Sequence, residues 1–429
     1  MKVAHILTST KKRCFLALLF VLLASFTMKV GYVVVVKVGY LHASSANWDA
    51  WKDPGASDFK QSYVPASEAI MSGYIFDNKN ISPKASEKLA KFPGFPSFIA
   101  LVRSIAGDNI AILRLSCIFL YSLSSALTCF LAYRAFGKDV AFLTAPFAIL
   151  SPLMTFWSFY ILTESLFTLL LLISITVLIH VAKFEKTNWL VPALGGIAFG
   201  YASWTRQVLI FSIVLIPLWY VLNALFHKPK TMIPAKALII FVIFAMAIYF
   251  GWAARNVILT GNSYMPIKSG INELKKPFKG VVNLWKINTP HNTVLNNKPN
   301  EQLEKTSNIN KSLKFFQKIL ISPFTAYWHL GLASSHQTFW NSNIIRFFVI
   351  FYLFSFSLML ISLRYLLRDF MPLSLLWLLI VYFTLVHVIV AGWSNVSRYR
   401  VPIEPYIYIL AAYGLYKVYS AIKLKYSKA

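Results

Sequence analysis

A chain of 429 residues that is 57% hydrophobic and 16% aromatic, with a mean hydropathy of +0.60, is far more apolar than a soluble globular protein. Its 42 basic residues against 15 acidic ones give a net charge of +27. With no basic, aromatic-interleaved soluble domain to hold nucleic acid, that surplus is the loop-charge bias of a membrane protein.

Lys11, Lys12 and Arg13 precede an apolar run from Cys14 to about Val36, interrupted by Lys29. A signal peptide has a similar basic start, but this run is longer than an h-region and no small-residue cleavage site closes it, so an uncleaved first span is expected. Leu41 to Gly107 is then the first long polar segment, outside the cytoplasm, with Asp49, Asp53, Asp58, Glu68, Asp77 and Glu87 inside it and Asp108 just beyond. A polar loop in a chain otherwise suited to lipid is where chemistry is expected, and SDFKQSY, Ser57 to Tyr63, is read as its reactive centre. Apolar runs of spanning length follow at about 110–134, 140–158, 163–182, 189–204, 207–226, 234–253, 344–363, 370–391 and 403–419, which makes ten with the first.

With the N-terminus inside, the cytoplasmic connections carry Arg134 and Lys138, Lys183 and Lys186, His227 to Lys236, Arg364 and Arg368, and the tail lysines 423, 425 and 428. Each is short and basic, as the orientation rule requires. The expected architecture is therefore an all-α polytopic membrane protein of about ten spans. It forms one integral membrane domain over 1–429, with outer loops at 37–109 and 255–343 that contain short helices. No repeat of 20–50 residues and no inverted pair of Gly/Pro-broken spans appears, which weakens a transporter reading.

Five charges do not belong to the basic inner loops. Glu164 in FYILTESLF, Arg206 in ASWTRQVL, Arg255 in GWAARN, and Arg398 and Arg400 in SRYRVPIEP all fall at the outer ends of spans under this topology. A single arginine there is as well explained by snorkelling as by function. Four on the outer face oppose the orientation rule, and the planar guanidinium fork suits a phosphate or pyrophosphate. Together they point to the anionic headgroup of a lipid carrier. Cys14, Cys117 and Cys129 all lie in apolar runs without CxxC spacing, and His329, His336 and His387 lack metal-site spacing, so no metal-ligand set is expected. Trp204, Trp252, Trp328, Trp340 and Trp393 read as an interfacial belt.

These pieces resemble a known family. Asp58, Tyr63 and ASEAIMSG, then FPGFPSFIALV at 92–102, SPLMTFWSFYILTESLF at 151–167, GIAFGYASWTRQ at 196–207, WAARNVILTGN at 252–262 and RYRVPIEPYIYILAAYGL at 398–415 recur in the order seen in the GT-C superfamily of polytopic glycosyltransferases. The branch is that of the protein O-mannosyltransferases and aminoarabinose transferases. The resemblance implies a sugar donor on a polyprenyl phosphate and an acidic catalytic base in the first outer loop, which by position is Asp58, with Asp53 as its rival. Phe59 stands where relatives often have a second acid.

The resulting expectation is an inverting transferase on the extracytoplasmic face of a bacterial or archaeal cell membrane. Asp58 deprotonates the acceptor, Arg206, Arg255, Arg398 and Arg400 hold the lipid phosphate, and Tyr63, Glu164 and Asp53 support them. Expected partners are the polyprenyl-phosphate sugar, a lipid, glycan or protein acceptor, and the bilayer. No cofactor is expected, and a divalent metal is left open. The alternatives are a transporter or flippase, which would carry ionisable groups near the bilayer midplane, and a polymerase of lipid-linked glycan, which needs the arginines but not Asp58.

Overall fold

The computed structural model describes residues 2–37, 59–73, 89, 92–183, 188–226, 234–260, 342–366, 370–390 and 396–427. All elements among them are helical. In chain order they are α1 (Lys2–Tyr32), which continues as a π turn over Val33–Lys37, a π turn Phe59–Tyr63 leading into α2 (Val64–Met71), α3 (Gly94–Ala106), α4 (Ile110–Phe136), α5 (Lys138–Leu150), α6 (Pro152–Trp157), α7 (Thr163–Lys183) and α8 (Leu190–Thr205). A 3-10 turn Gln207–Val214 opens α9 (Leu215–Phe226). Then come α10 (Ala235–Thr260), α11 (Ser342–Leu363), α12 (Phe370–Val390) and a second 3-10 turn, Val396–Ile403, that opens α13 (Glu404–Tyr426).

The chain is an integral membrane protein. Lys12–Val35, Ile110–Phe136, Thr163–Lys183 and Ala235–Ile258 are long and apolar enough to cross a bilayer. Their outward residues fit lipid: Phe15, Phe20, Ile239 and Ile243 are large, apolar and exposed.

The run expected as one span at 140–158 is two helices. Pro152 disfavours helical geometry at the residue before it, and Ser151 has φ −40 and ψ 107, ending α5. The Ser151 hydroxyl then accepts from the Met154 N–H at 3.4 Å and caps α6. This break gives α6 its own direction, against α1 and the turn Val396–Ile403.

Helices in lipid gain little from burying apolar surface, so close backbone approach and polar contacts carry more of their packing. A Cβ at Gly196 would stand 2.2 Å from the Phe241 carbonyl oxygen, and one at Gly414 would stand 2.0 Å from that of Leu358. These glycines let α8 close on α10 and α13 close on α11. Lys29 is fully buried in α1 and donates to Ser25 Oγ at 2.5 Å, while Ser25 reaches Ser125 of α4 at 3.0 Å. Arg114 of α4 is also fully buried, and its Nε donates to the Phe159 carbonyl at 2.9 Å, fixing the segment that leads into α7.

The described part of the first loop is folded onto the bundle. Phe59 and Tyr63 are buried with Phe95, Ile99, Leu113, Ile161 and Leu166. Arg103 of α3 ties the loop together, donating to Ser67 Oγ at 2.8 Å and Glu68 at 3.2 Å on α2, and to Asp108 at 2.5 Å. The Asp108 carboxyl is held below its ordinary range by that hydrogen bond. The middle of the second loop, and with it His329, His336, Trp328 and Trp340, lies outside the described residues.

Candidate functional site

Glu164 is the second residue of α7, where a carboxylate favours the positive end of the helix dipole. It is 2% exposed, and one of its oxygens, Oε1, faces two arginines: Arg206 Nη2 at 3.2 Å and Arg398 Nε at 3.7 Å. Its Oε2 accepts from the neighbouring Thr163 hydroxyl at 3.2 Å. Arg206 follows the last residue of α8 in extended conformation, φ −147 and ψ 113, which turns its side chain away from the helix continuation. Arg398 comes from the 3-10 turn before α13, nearly 200 residues later in the chain, so only the tertiary fold brings the three together.

Tyr399 sits between the two cations. Arg206 Cζ lies 4.7 Å from the centre of its ring and Arg398 Cζ lies 4.9 Å from it. Its hydroxyl also accepts from Arg398 Nη2 at 3.0 Å. The ring stacks on His387 at 5.1 Å and 13°, and His387 stacks on Phe383 at 5.7 Å and 14°. His387 Nδ1 is 2.7 Å from the Phe383 carbonyl, which can only accept, so the proton is on Nδ1. This column holds the ring that holds the arginines. Burial works against the Arg398 cation, yet Glu164 and the two tyrosines 399 and 63 raise its pKa above the ordinary arginine range.

Tyr63 comes from the π turn of the first loop. It packs edge-on against Phe95 at 5.2 Å and 81°. The α3 helix carrying Phe95 docks on the end of α8: a Cβ at Gly94 would be 2.8 Å from Thr205 Cγ2, and the Tyr201 hydroxyl donates to the Gly94 carbonyl at 3.0 Å. The helix of the first loop and the residue preceding Arg206 are thus in direct contact.

The other two expected phosphate ligands, Arg400 and Arg255, have neighbours of their own. Arg400 is fully buried, with Nε 2.7 Å from Glu404 Oε1 and its guanidinium 4.6 Å from the Tyr352 ring. Tyr352 donates to Glu404 Oε2 at 3.1 Å, Tyr408 also donates to it, and Ser151 bonds Tyr408 at 2.8 Å. This network knits the start of α13 to α11 and the α5–α6 break. Arg255 is 8% exposed, bonds Asn256 at 2.8 Å and lies 4.8 Å from the Trp252 ring. Trp252 in turn meets Trp204 at 5.3 Å. Asp53 and Asp58 lie outside the described residues, as do Asp49 and Trp393. Among the described residues no three His, Cys, Asp or Glu side chains gather as a metal-binding group.

Sequence reasoning passed over Tyr399 and Arg114. Tyr399 stood in plain view between two arginines, but an exposed interfacial tyrosine has the same local pattern.

The ordered motifs resemble the GT-C superfamily of polytopic glycosyltransferases, and comparisons with known proteins point in the same direction. A family model for dolichyl-phosphate-mannose-protein mannosyltransferase matches residues 90–250, the stretch that supplies α3, Glu164 and Arg206. Among solved structures, the Archaeoglobus fulgidus oligosaccharyltransferase tethered to an acceptor peptide is similar with a TM-score of 0.56 at 12% identity, over 95% of this chain and 50% of that one. The archaeal oligosaccharyltransferase from the same organism, in complex with an inhibitory peptide and a dolichol-phosphate, gives 0.51 at 10% identity, over 96% and 51%. A complex of the A. fulgidus enzyme with Zn and sulfate gives 0.54 at 12%, over 94% and 50%. The chain spans about half the length of these structures, and at such identity the likeness establishes the fold. A comparison with curated proteins finds no match in sequence.

Proposed function

We propose that this chain is an inverting glycosyltransferase that takes a sugar from a polyprenyl-phosphate carrier at the outer end of its bundle, on the extracytoplasmic face of a ten-span membrane domain. The observation that carries the reading is the pairing of Arg206 and Arg398 on one oxygen of Glu164 and one ring, Tyr399. Two guanidiniums against one carboxylate leave a surplus positive charge at a half-buried spot, which a lipid phosphate would neutralise with charge-assisted hydrogen bonds. Arg398, 22% exposed, is the member a ligand can reach most directly.

In the reaction, an acceptor hydroxyl oxygen attacks the anomeric carbon on the face opposite the phosphate, and the bond from that carbon to the phosphate oxygen breaks. The hydroxyl proton passes to the base, Asp58, with Asp53 the rival for that role, and the charge left on the polyprenyl phosphate stays with Arg206 and Arg398. Phe59 and Tyr63, which follow Asp58 in the sequence, are buried with Leu166 of α7, two residues on from Glu164. The names of the family and of the archaeal neighbours, with dolichyl-phosphate mannose in one and dolichol-phosphate in the other, support the carrier class. Arg255 and Trp252 are assigned to the same outer face. Arg400 is assigned to hold the turn that carries Arg398.

The test is incubation of the purified chain in nanodiscs with a panel of labelled polyprenyl-phosphate sugars. The expected result is cleavage of the sugar from the carrier and its appearance on an acceptor or in water. Movement of intact lipid-linked glycan across the bilayer, with no bond cleaved, would make the chain a flippase instead.

A further inference from the structure

The short helix α2 is held where it lies by side chains from other elements. Its own means are slight: it has eight residues, no side chain caps its start, and the residues it buries, Ala66, Ser67 and Ala69, offer little apolar surface. Arg103 of α3 reaches across to it, with Nη1 2.8 Å from Ser67 Oγ and Nη2 3.2 Å from Glu68 Oε1. A second fastening comes from α10. Leu89 clusters with Ala66 and Ala69 of α2, and its carbonyl accepts from the Trp252 indole N–H at 3.0 Å.

What α2 is joined to makes these fastenings matter. It continues directly from the turn Phe59–Tyr63, the residues that follow Asp58 in the chain, so a shift of α2 moves that turn with it. Phe59 and Tyr63 pack with Leu166 of α7, and α3 docks through Gly94 on Thr205, the residue before Arg206. The Trp252 ring meets that of Trp204, two residues before Arg206, at 5.3 Å. Arg103 and Trp252 thus tie the first loop to the ends of α7 and α8 that carry Glu164 and Arg206. Each of the three guanidinium nitrogens of Arg103 is committed in this region, the third, Nε, to Asp108 at 2.5 Å, so the residue serves the loop and not a ligand.

We propose that Arg103 and Trp252 are positioning residues for sugar transfer: by fixing α2 they hold the turn 59–63 against α7, and so fix where the base just before that turn stands, while taking no part in holding the donor. The inference rests on the reading of the chain as a transferase with its base in the first loop. Misplacing a reacting group by about 1 Å can cost on the order of a hundredfold in rate, so loosening α2 lowers turnover and leaves donor binding alone.

The test uses the full chain in nanodiscs and reads turnover of farnesyl-phosphoryl mannose (or whichever sugar of the labelled panel the chain turns over fastest), binding of farnesyl phosphate, and hydrogen exchange of peptides covering 59–71. Arg103→Gln, and Trp252→Phe, which keeps an aromatic ring but lacks the N–H, are each expected to lower turnover about ten- to a hundredfold, to raise exchange over 59–71 about tenfold, and to leave farnesyl phosphate affinity within about twofold. Arg103→Lys, which can keep one partner but not the fork, falls between the parent and Arg103→Gln. Ser67→Ala removes one arm of the clamp with least disturbance, so it shows the same pattern at smaller amplitude and decides the matter if Arg103→Gln folds poorly. Asp108→Asn leaves turnover within about twofold, because Asp108 stands just past the end of α3 itself and its bond with Arg103 does not reach α2. Parental turnover in Arg103→Gln or Trp252→Phe overturns the proposal, and so does an equal loss of turnover and farnesyl phosphate binding, which would make the role merely structural. An unmodified chain that turns over no lipid of the panel would instead sink the transferase reading, and the positioning role with it.

Discussion

Glu164→Gln isolates what the central carboxylate does. Its Oε1 stands 3.2 Å from Arg206 Nη2 and 3.7 Å from Arg398 Nε, so one neutralised group breaks two ion pairs at once. At an effective dielectric of about 20 each contact is worth on the order of 4–5 kcal/mol before desolvation is counted. Removing one partner of a buried pair costs about 3–5 kcal/mol in practice, because the other charge stays behind. The arginine side chains are 11% and 22% exposed, so water recovers part of the loss, and about 2–4 kcal/mol is the expected destabilisation. The two guanidiniums would then share the Tyr399 ring with no counter-charge between them, which makes an anionic ligand more valuable to the variant than to the parent. Thermal denaturation in detergent, with and without farnesyl phosphate, reads both effects. Glu164→Gln should melt lower alone, and the lipid should raise its melting temperature by more than it raises that of the parent. A variant that melts like the parent, or gains no more from the lipid, would refute the idea that Glu164 holds a phosphate-binding arginine pair apart.

Asp58→Asn should leave donor binding near normal while transfer falls by at least about a hundredfold, as for a lost general base; retained activity there with loss in Asp53→Asn would move the base to Asp53. Arg398→Lys should weaken donor binding by about tenfold or more, since an ammonium cannot reproduce the planar fork, whereas Arg400→Lys should lower the melting temperature and leave the donor affinity of the folded fraction near normal. Unchanged affinity in Arg398→Lys would return that residue to membrane anchoring. Gly196→Ala, whose added carbon would lie 2.2 Å from a carbonyl oxygen, should cost about 1–3 kcal/mol in a melting assay, while Gly251→Ala, facing open space, should cost nothing comparable. Membrane-impermeant thiol labelling should reach Lys60→Cys from outside the cell and Glu185→Cys only from inside; reversed labelling would overturn the topology.

Hydrophobicity and loop charge are properties of composition and order along the chain, so the sequence alone determined that this is a helical membrane protein and which segments are polar. Motif order was equally linear, and it pointed to the GT-C fold without any knowledge of contacts. Local chemistry decided less than it seemed to offer. The run 140–158 is apolar throughout, yet a single Ser-Pro step and a hydroxyl cap at Ser151 split it, which no average over a window registers. The arginines are the clearest case. In sequence Arg398 and Arg400 are near-equivalents two residues apart, but on a 3-10 turn they point to different neighbours, one toward Glu164 and the other into the closed Glu404 network. Which charge is available to a ligand depends on which carboxylate the fold delivers to it, across separations of 42 residues for Arg206 and 234 for Arg398 counted from Glu164. Fastenings such as Arg103 to Ser67 and Trp252 to Leu89 exist only where folding brings a donor to an acceptor across 36 and 163 residues of chain, and for that reason no reading of the linear sequence could have found them.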